Sequence, residues 1–165
     1  LFKGVPELPD GINLLCIADS FPDTAAALFS KNKEKHKIYI PGGCGLYFGC
    51  DAVKKVAALA DITILSGSEA DVIGRDSGTI SPVVIVTRGK NPTLIYNNSK
   101  TVSVPVEKTN MKIVDTTGAG DAFACGFIIE MFKSGKIDES VAAGHEFAIK
   151  VITKYGANVG VPIID

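Results

Sequence analysis

Asp115-Thr116-Thr117-Gly118-Ala119-Gly120-Asp121 sets a glycine-rich turn between two carboxylates, immediately before the apolar run Ala122-Phe123-Ala124-Cys125-Gly126-Phe127. Gly118 and Gly120 let the backbone take conformations that a Cβ would penalise, so consecutive N–H groups can converge on an anion. The helix that follows adds the positive end of its dipole. Asp121 would then stand beside the anion, where a carboxylate is a poor phosphate ligand but a good acceptor for the proton of an attacking hydroxyl. The plain alternative is a helix capped by Asp115 or Thr117, with glycines that merely tighten the turn. Around the turn, Lys112-Ile113-Val114 reads as a short strand, and Phe123, Phe127, Ile128, Met131 and Phe132 recur as a helical apolar stripe.

Outward from this turn, the chain alternates strand-like and helix-like runs. Asn13–Ala18 reads as a buried strand after the Pro/Gly-rich lead-in Leu1–Gly11, and Pro22 opens a helix that runs to about Lys35. Lys37–Ile40 is the next strand, Pro41–Gly45 a loop or ordinary turn, and Asp51–Leu59 a helix. Asp61–Leu65 and Val83–Thr87 are near-continuous apolar runs, as expected of parallel strands covered on both faces. Thr93–Tyr96 and Lys100–Val104 read as a hairpin or meander. Two helices close the chain, about Ala119–Lys133 and Glu139–Lys154, the second with Val141, Phe147, Ala148, Val151 and Ile152 as its buried face. The alternation implies a doubly wound α/β fold, a mostly parallel sheet with helices on both faces, whose ligands bind beyond the strands' carboxyl ends.

Bulk properties narrow the function. A chain of 165 residues, 46% of them hydrophobic, can bury one sizeable core without disulfides, so one domain is expected. A formal net charge of −1 offers no basic footprint for nucleic acid, and no apolar run approaches a membrane span. Phosphate binding must therefore be local. Cys16, Cys44, Cys50 and Cys125 lack the paired spacing of a zinc site and read as reduced thiols of a cytoplasmic protein. Asn97-Asn98-Ser99 fits a glycosylation pattern, which carries no weight without a secretory signal.

The run Asp115–Phe127 resembles the C-terminal signature of the ribokinase-like (PfkB) family of carbohydrate and nucleoside kinases, with adenosine kinases the most similar branch. The resemblance implies that residues 1–165 form the C-terminal, nucleotide-binding portion of a ribokinase-like kinase domain, with the N-terminal part and lid absent. It implies ATP and Mg²⁺ as cofactors, with K⁺ a further candidate, and a nucleoside or sugar as the acceptor. By the same resemblance Asp121 is the base, and the N–H groups of Gly118, Ala119 and Gly120 hold the transferred phosphoryl group.

Other strand ends carry the supporting residues. Ser66-Gly67-Ser68-Glu69 is similar to the family's N-x-x-E motif, in which the acid organises Mg²⁺ through water; Glu69 matches the acid, and Ser66 stands where the family has Asn. Thr87-Arg88-Gly89 matches a strand-end T-x-G against the nucleotide. Ala143-Gly144-His145 resembles the helix whose histidine lies near the adenine. Tyr155–Asn158, with Asp115 and Thr117, resembles a monovalent-cation site built mainly from carbonyls. A ribokinase- or fructokinase-like sugar kinase is the alternative, which the ending Gly156-Ala157 to Val161-Pro162 suits equally well. A truncated, non-catalytic nucleotide-binding module is the alternative of another class. The expected partners are a small-molecule acceptor and the missing first half of the same enzyme, with neither nucleic acid nor membrane.

Overall fold

A computed structural model describes residues 8–98, 100–107 and 111–157. Most of the lead-in, Ser99 of the glycosylation pattern, Asn158 and Val161-Pro162 lie outside the described residues. Among the described residues six strands form one sheet in chain order: β1 (Leu14–Ala18), β2 (His36–Ile40), β3 (Ile62–Ser66), β4 (Val83–Arg88), β5 (Asn91–Asn97) and β6 (Lys100–Val104). β1 to β4 pair in parallel. The link between β4 and β5 is Gly89-Lys90 alone, too short for a crossover and suited to antiparallel neighbours, so the sheet is mixed.

Residues 37–39, 62–65 and 84–86 are buried in unbroken runs. Successive strand side chains point to opposite faces, so both faces of β2, β3 and β4 are covered. That agrees with the apolar composition of these strands. Tyr39, Phe29, Val53, Leu65 and Val84 are fully buried members of one core cluster, the four apolar ones each contributing roughly 1.5–3 kcal/mol by leaving water.

The helices are α1 (Pro22–Lys31), α2 (Gly42–Tyr47), α3 (Cys50–Ala57), α4 (Gly67–Ile73), α5 (Ala119–Ser134) and α6 (Ile137–Ile152), with a 3₁₀ turn at Arg75–Thr79. Several sequence expectations are corrected. α1 stops at Lys31, short of Lys35, because Asn32 turns out of the helix, giving its N–H to Phe29 O and its side-chain amide to Leu28 O at 2.8 Å. Pro41–Gly45 is not a plain loop; Asp19 Oδ1 accepts the Cys44 N–H at 2.8 Å and holds this segment in the short helix α2. Lys112-Ile113-Val114 forms no strand, since the Val114 N–H goes to Ile152 O at 2.8 Å, at the end of α6. Phe132 is 62% exposed and outside the buried stripe of α5.

The chain gathers into two compact units, residues 1–89 with 94–103, and residues 90–93 with 104–165. The first holds the sheet apart from Asn91–Thr93 and Val104. The second is dominated by α5 against α6, which approach closely because both helices carry a glycine at the contact. A Cβ on Gly126 would stand 2.7 Å from Ala143 O, and one on Gly144 2.7 Å from Phe123 Cδ2. α5 ends where Gly135 takes φ 67° and returns its N–H to Met131 O, a left-handed glycine C-cap.

Candidate functional site

In the first unit, Ser66 and Thr87 are register partners at the carboxyl ends of the parallel strands β3 and β4. Together with Gly89 they line a cleft of about 870 Å³, which Val86, Leu94 and Tyr96 also line. This is the end of a parallel sheet at which ligands bind. Three of the residues expected to meet a nucleotide therefore share one concavity. Leu94 and Tyr96 were not singled out from the sequence, although alternation along β5 could have placed them on one face.

Glu69 does not line that cleft. Its carboxylate accepts the Ser66 N–H at 2.5 Å, while Ser66 Oγ accepts the Glu69 N–H at 3.2 Å. The two residues form a capping box at the start of α4. Ser66 thus has a local reason to be serine, legible in the S-x-x-E spacing. The Thr87 hydroxyl donates to Leu65 O at 3.3 Å, a long bond that leaves its oxygen able to accept.

In the second unit the glycine turn is built differently. Asp115 Oδ1 accepts the Thr117 N–H at 2.9 Å and the Thr117 hydroxyl at 2.7 Å, and Oδ2 accepts the Gly156 N–H at 3.1 Å. These donors, the Thr117 N–H foremost, hold the Asp115 carboxyl below the usual aspartate range. Asp115 and Thr117 are thereby committed to each other and to Gly156, and they shape the turn. Ile152 O anchors its start by accepting both the Val114 and Asp115 N–H groups, at 2.8 and 3.3 Å.

Gly118 is the N-cap of α5 with φ 78° and ψ 1°, a left-handed conformation, and no side chain caps the helix. The alternative in which Asp115 or Thr117 caps it is not what forms. A Cβ at Gly118 would lie 2.8 Å from the Ala157 Cβ, so the position needs glycine on two counts. The Ala119 N–H turns back to Thr116 O at 3.2 Å. Gly120 and Asp121, in the first turn, have no carbonyl four residues back within the helix to accept their N–H groups. Asp121 is exposed in that turn. An exposed acid beside helix N–H groups without side-chain caps can receive a proton next to an anion seat.

His145, for which the resemblance implied a place near the adenine, is almost wholly buried. It is 8% exposed, its Nε2 lies 2.8 Å from Thr93 Oγ1, and its ring packs on Phe123 with centroids 5.5 Å apart. Burial pushes the imidazole below its ordinary range.

Residues 47–164 match the pfkB family of carbohydrate kinases. The chain belongs to that family. Among pfkB relatives, it is 29% identical to an adenosine kinase of Schizophyllum commune, in a match covering 81% of this chain and 47% of the relative. Against an uncharacterized sugar kinase of Archaeoglobus fulgidus it is 48% identical over 59 residues, covering 36% of this chain and 24% of the relative. A nucleoside kinase of Methanocaldococcus jannaschii, described as an archaeal ribokinase-family member, superposes with TM-score 0.83 at 19% identity, over 94% of this chain and 55% of that one. The chain thus spans about half the length of these nucleoside-kinase relatives, and its fold is the ribokinase-like α/β fold.

Proposed function

We propose that the protein carrying this chain transfers the γ-phosphoryl group of ATP to a primary hydroxyl of a nucleoside, adenosine first, and that residues 1–165 supply the nucleotide-binding portion of the kinase domain. The observation that carries the reading is the start of α5: a left-handed glycine N-cap without a side-chain cap, with Asp121 exposed in the first turn. Family membership supports kinase chemistry, and the adenosine kinases among its relatives support the acceptor.

In this mechanism the hydroxyl oxygen attacks the γ-phosphorus while Asp121 takes its proton, and the β–γ bridging bond breaks to release ADP. The N–H groups of Gly118 and Gly120 receive the charge that develops on the transferred group. Ala119 contributes after its N–H leaves Thr116 O. A general base is worth ~10²–10⁴ in rate and an anion-hole donor ~10²–10³. Thr87 and Gly89 line the nucleotide cleft.

Mg²⁺ fits as an ion carried in with the nucleotide, since no group of three or more His, Cys, Asp or Glu side chains gathers to hold a metal among the described residues. Such an ion keeps several waters and needs few protein ligands. When bound it would neutralise charge between the phosphates. Glu69 would orient its water shell, and Ser66 fixes the Glu69 carboxylate for that task. K⁺ fits less well at Asp115 and Thr117, whose side-chain groups are already paired; main-chain carbonyls would have to hold it, and no step is routed through it.

A sugar acceptor is the second reading, favoured by the 48% identity to the Archaeoglobus protein. Phosphorylation of adenosine, ribose and fructose by the complete polypeptide separates the two: adenosine is expected to give the highest kcat/KM. Preference for a sugar overturns the acceptor. No phosphoryl transfer to any of them overturns the kinase reading and leaves a nucleotide-binding module.

A further inference from the structure

A buried polar contact lies beside the ring of Phe123 in α5. Thr93 is 1% exposed and His145 8%, so their 2.8 Å bond lies almost wholly out of water. An unpartnered hydroxyl or imidazole nitrogen there would be left desolvated, so the bond strongly favours one orientation of the ring. The ring in turn packs against Phe123 at a 49° tilt. Gly144, the neighbour of His145, completes the seat, because a Cβ there would stand 2.8 Å from Phe123 Cε2 and 2.9 Å from Phe123 O. Phe123 is 3% exposed and stacks on Phe127, with centroids 6.4 Å apart. It lies two residues beyond Asp121 on the same helix.

We propose that Thr93 and His145 are positioning residues for phosphoryl transfer: their buried bond fixes the imidazole, the imidazole and Gly144 fix Phe123, and Phe123 fixes the roll of the α5 turn that presents Gly120 and Asp121. Neither residue touches the reacting atoms. The pair acts on the alignment of the base, where an error of an ångström costs far more rate than binding. A histidine in the interior thereby has a function that needs no contact with nucleotide. The inference rests on Asp121 serving as the base.

The test compares Thr93→Val, which keeps the shape and removes the hydrogen-bonding group, with Thr93→Ser, which keeps the hydroxyl, in the complete polypeptide with ATP and adenosine. At a temperature where both variants are fully folded, Thr93→Val is expected to lower kcat by about tenfold while KM for ATP stays within about twofold, and Thr93→Ser to restore most of kcat. A Thr93→Val protein with reduced Tm but wild-type kcat makes the pair structural and overturns the proposal. If Thr93→Val does not fold, Phe123→Leu at the other end of the relay must lower kcat without raising KM; unchanged kcat there overturns it equally. Amide hydrogen exchange adds a readout without turnover. The Ala122 and Phe123 amides, the first of α5 with helical acceptors, should exchange faster in Thr93→Val while β1 to β4 are unchanged, and equal exchange contradicts the coupling. If the wild-type protein transfers no phosphate at all, the kinase reading fails, and the exchange comparison still decides whether the relay exists.

Discussion

Two helices of this chain begin in opposite ways. α4 starts at Ser66, whose hydroxyl and backbone are both engaged by Glu69, so its first turn is closed by its own side chains. α5 starts at Gly118, left-handed and without a side-chain cap, with Asp115 drawn off to Thr117 and Gly156. Both starts combine glycine with an acid in the first turn. The difference is what the acid does: Glu69 turns back onto its helix, and Asp121 stays exposed. A helix start satisfied from within contributes stability, and one left open is available to an anion.

Substitutions can break that contrast. Gly118→Val would meet both the left-handed backbone and Ala157, and we expect turnover to fall by about 10²-fold or more in steady-state assays, with a lower Tm. Gly67→Ala in α4 is the matched control: its Cβ would come no closer than 3.5 Å to Thr87 O. It should leave stability unchanged or raise it by up to about 1 kcal/mol in denaturant melts. Ser66→Ala removes a cap, and the same melts should show a loss of about 1 kcal/mol, roughly a fivefold change in the folding equilibrium.

The smallest effects are those of pH. His145 has a folded pKa below its unfolded value, so the folded state binds fewer protons and is favoured above the unfolded pKa. Stability should decline as pH falls below about 6.5, towards the folded pKa. Thr93→Val should alter this decline. Asp115 also has a depressed folded pKa: its contribution is fully present above the ordinary aspartate range and is lost as pH falls through the folded value. Asp115→Asn should flatten that lower limb, measured by melts across the acid range.

Much of this was legible in the sequence, and the failures have physical causes. The largely apolar runs at Asp61–Leu65 and Val83–Thr87 announced buried parallel strands because strands covered on both faces have no polar side. Asp115–Asp121 announced its turn because few residues other than glycine accept the backbone of Gly118. Lys112-Ile113-Val114 misled because composition reports β propensity but not the presence of a neighbouring strand, and its hydrogen bond went to Ile152. The contact of His145 with Thr93 was not legible because the two stand 52 residues apart in sequence. The bonds between Glu69 and Ser66 were legible three positions apart, in the S-x-x-E spacing.

The most direct test of the account is the Asp121→Asn variant of the complete polypeptide, assayed for phosphoryl transfer from ATP to adenosine alongside nucleotide affinity. The open start of α5 predicts a fall in kcat of at least about 10²-fold with nucleotide affinity changed by less than about twofold, since the amide keeps the shape and loses the base. A variant that retains kcat within about tenfold of wild type would contradict the assignment of Asp121 as the base.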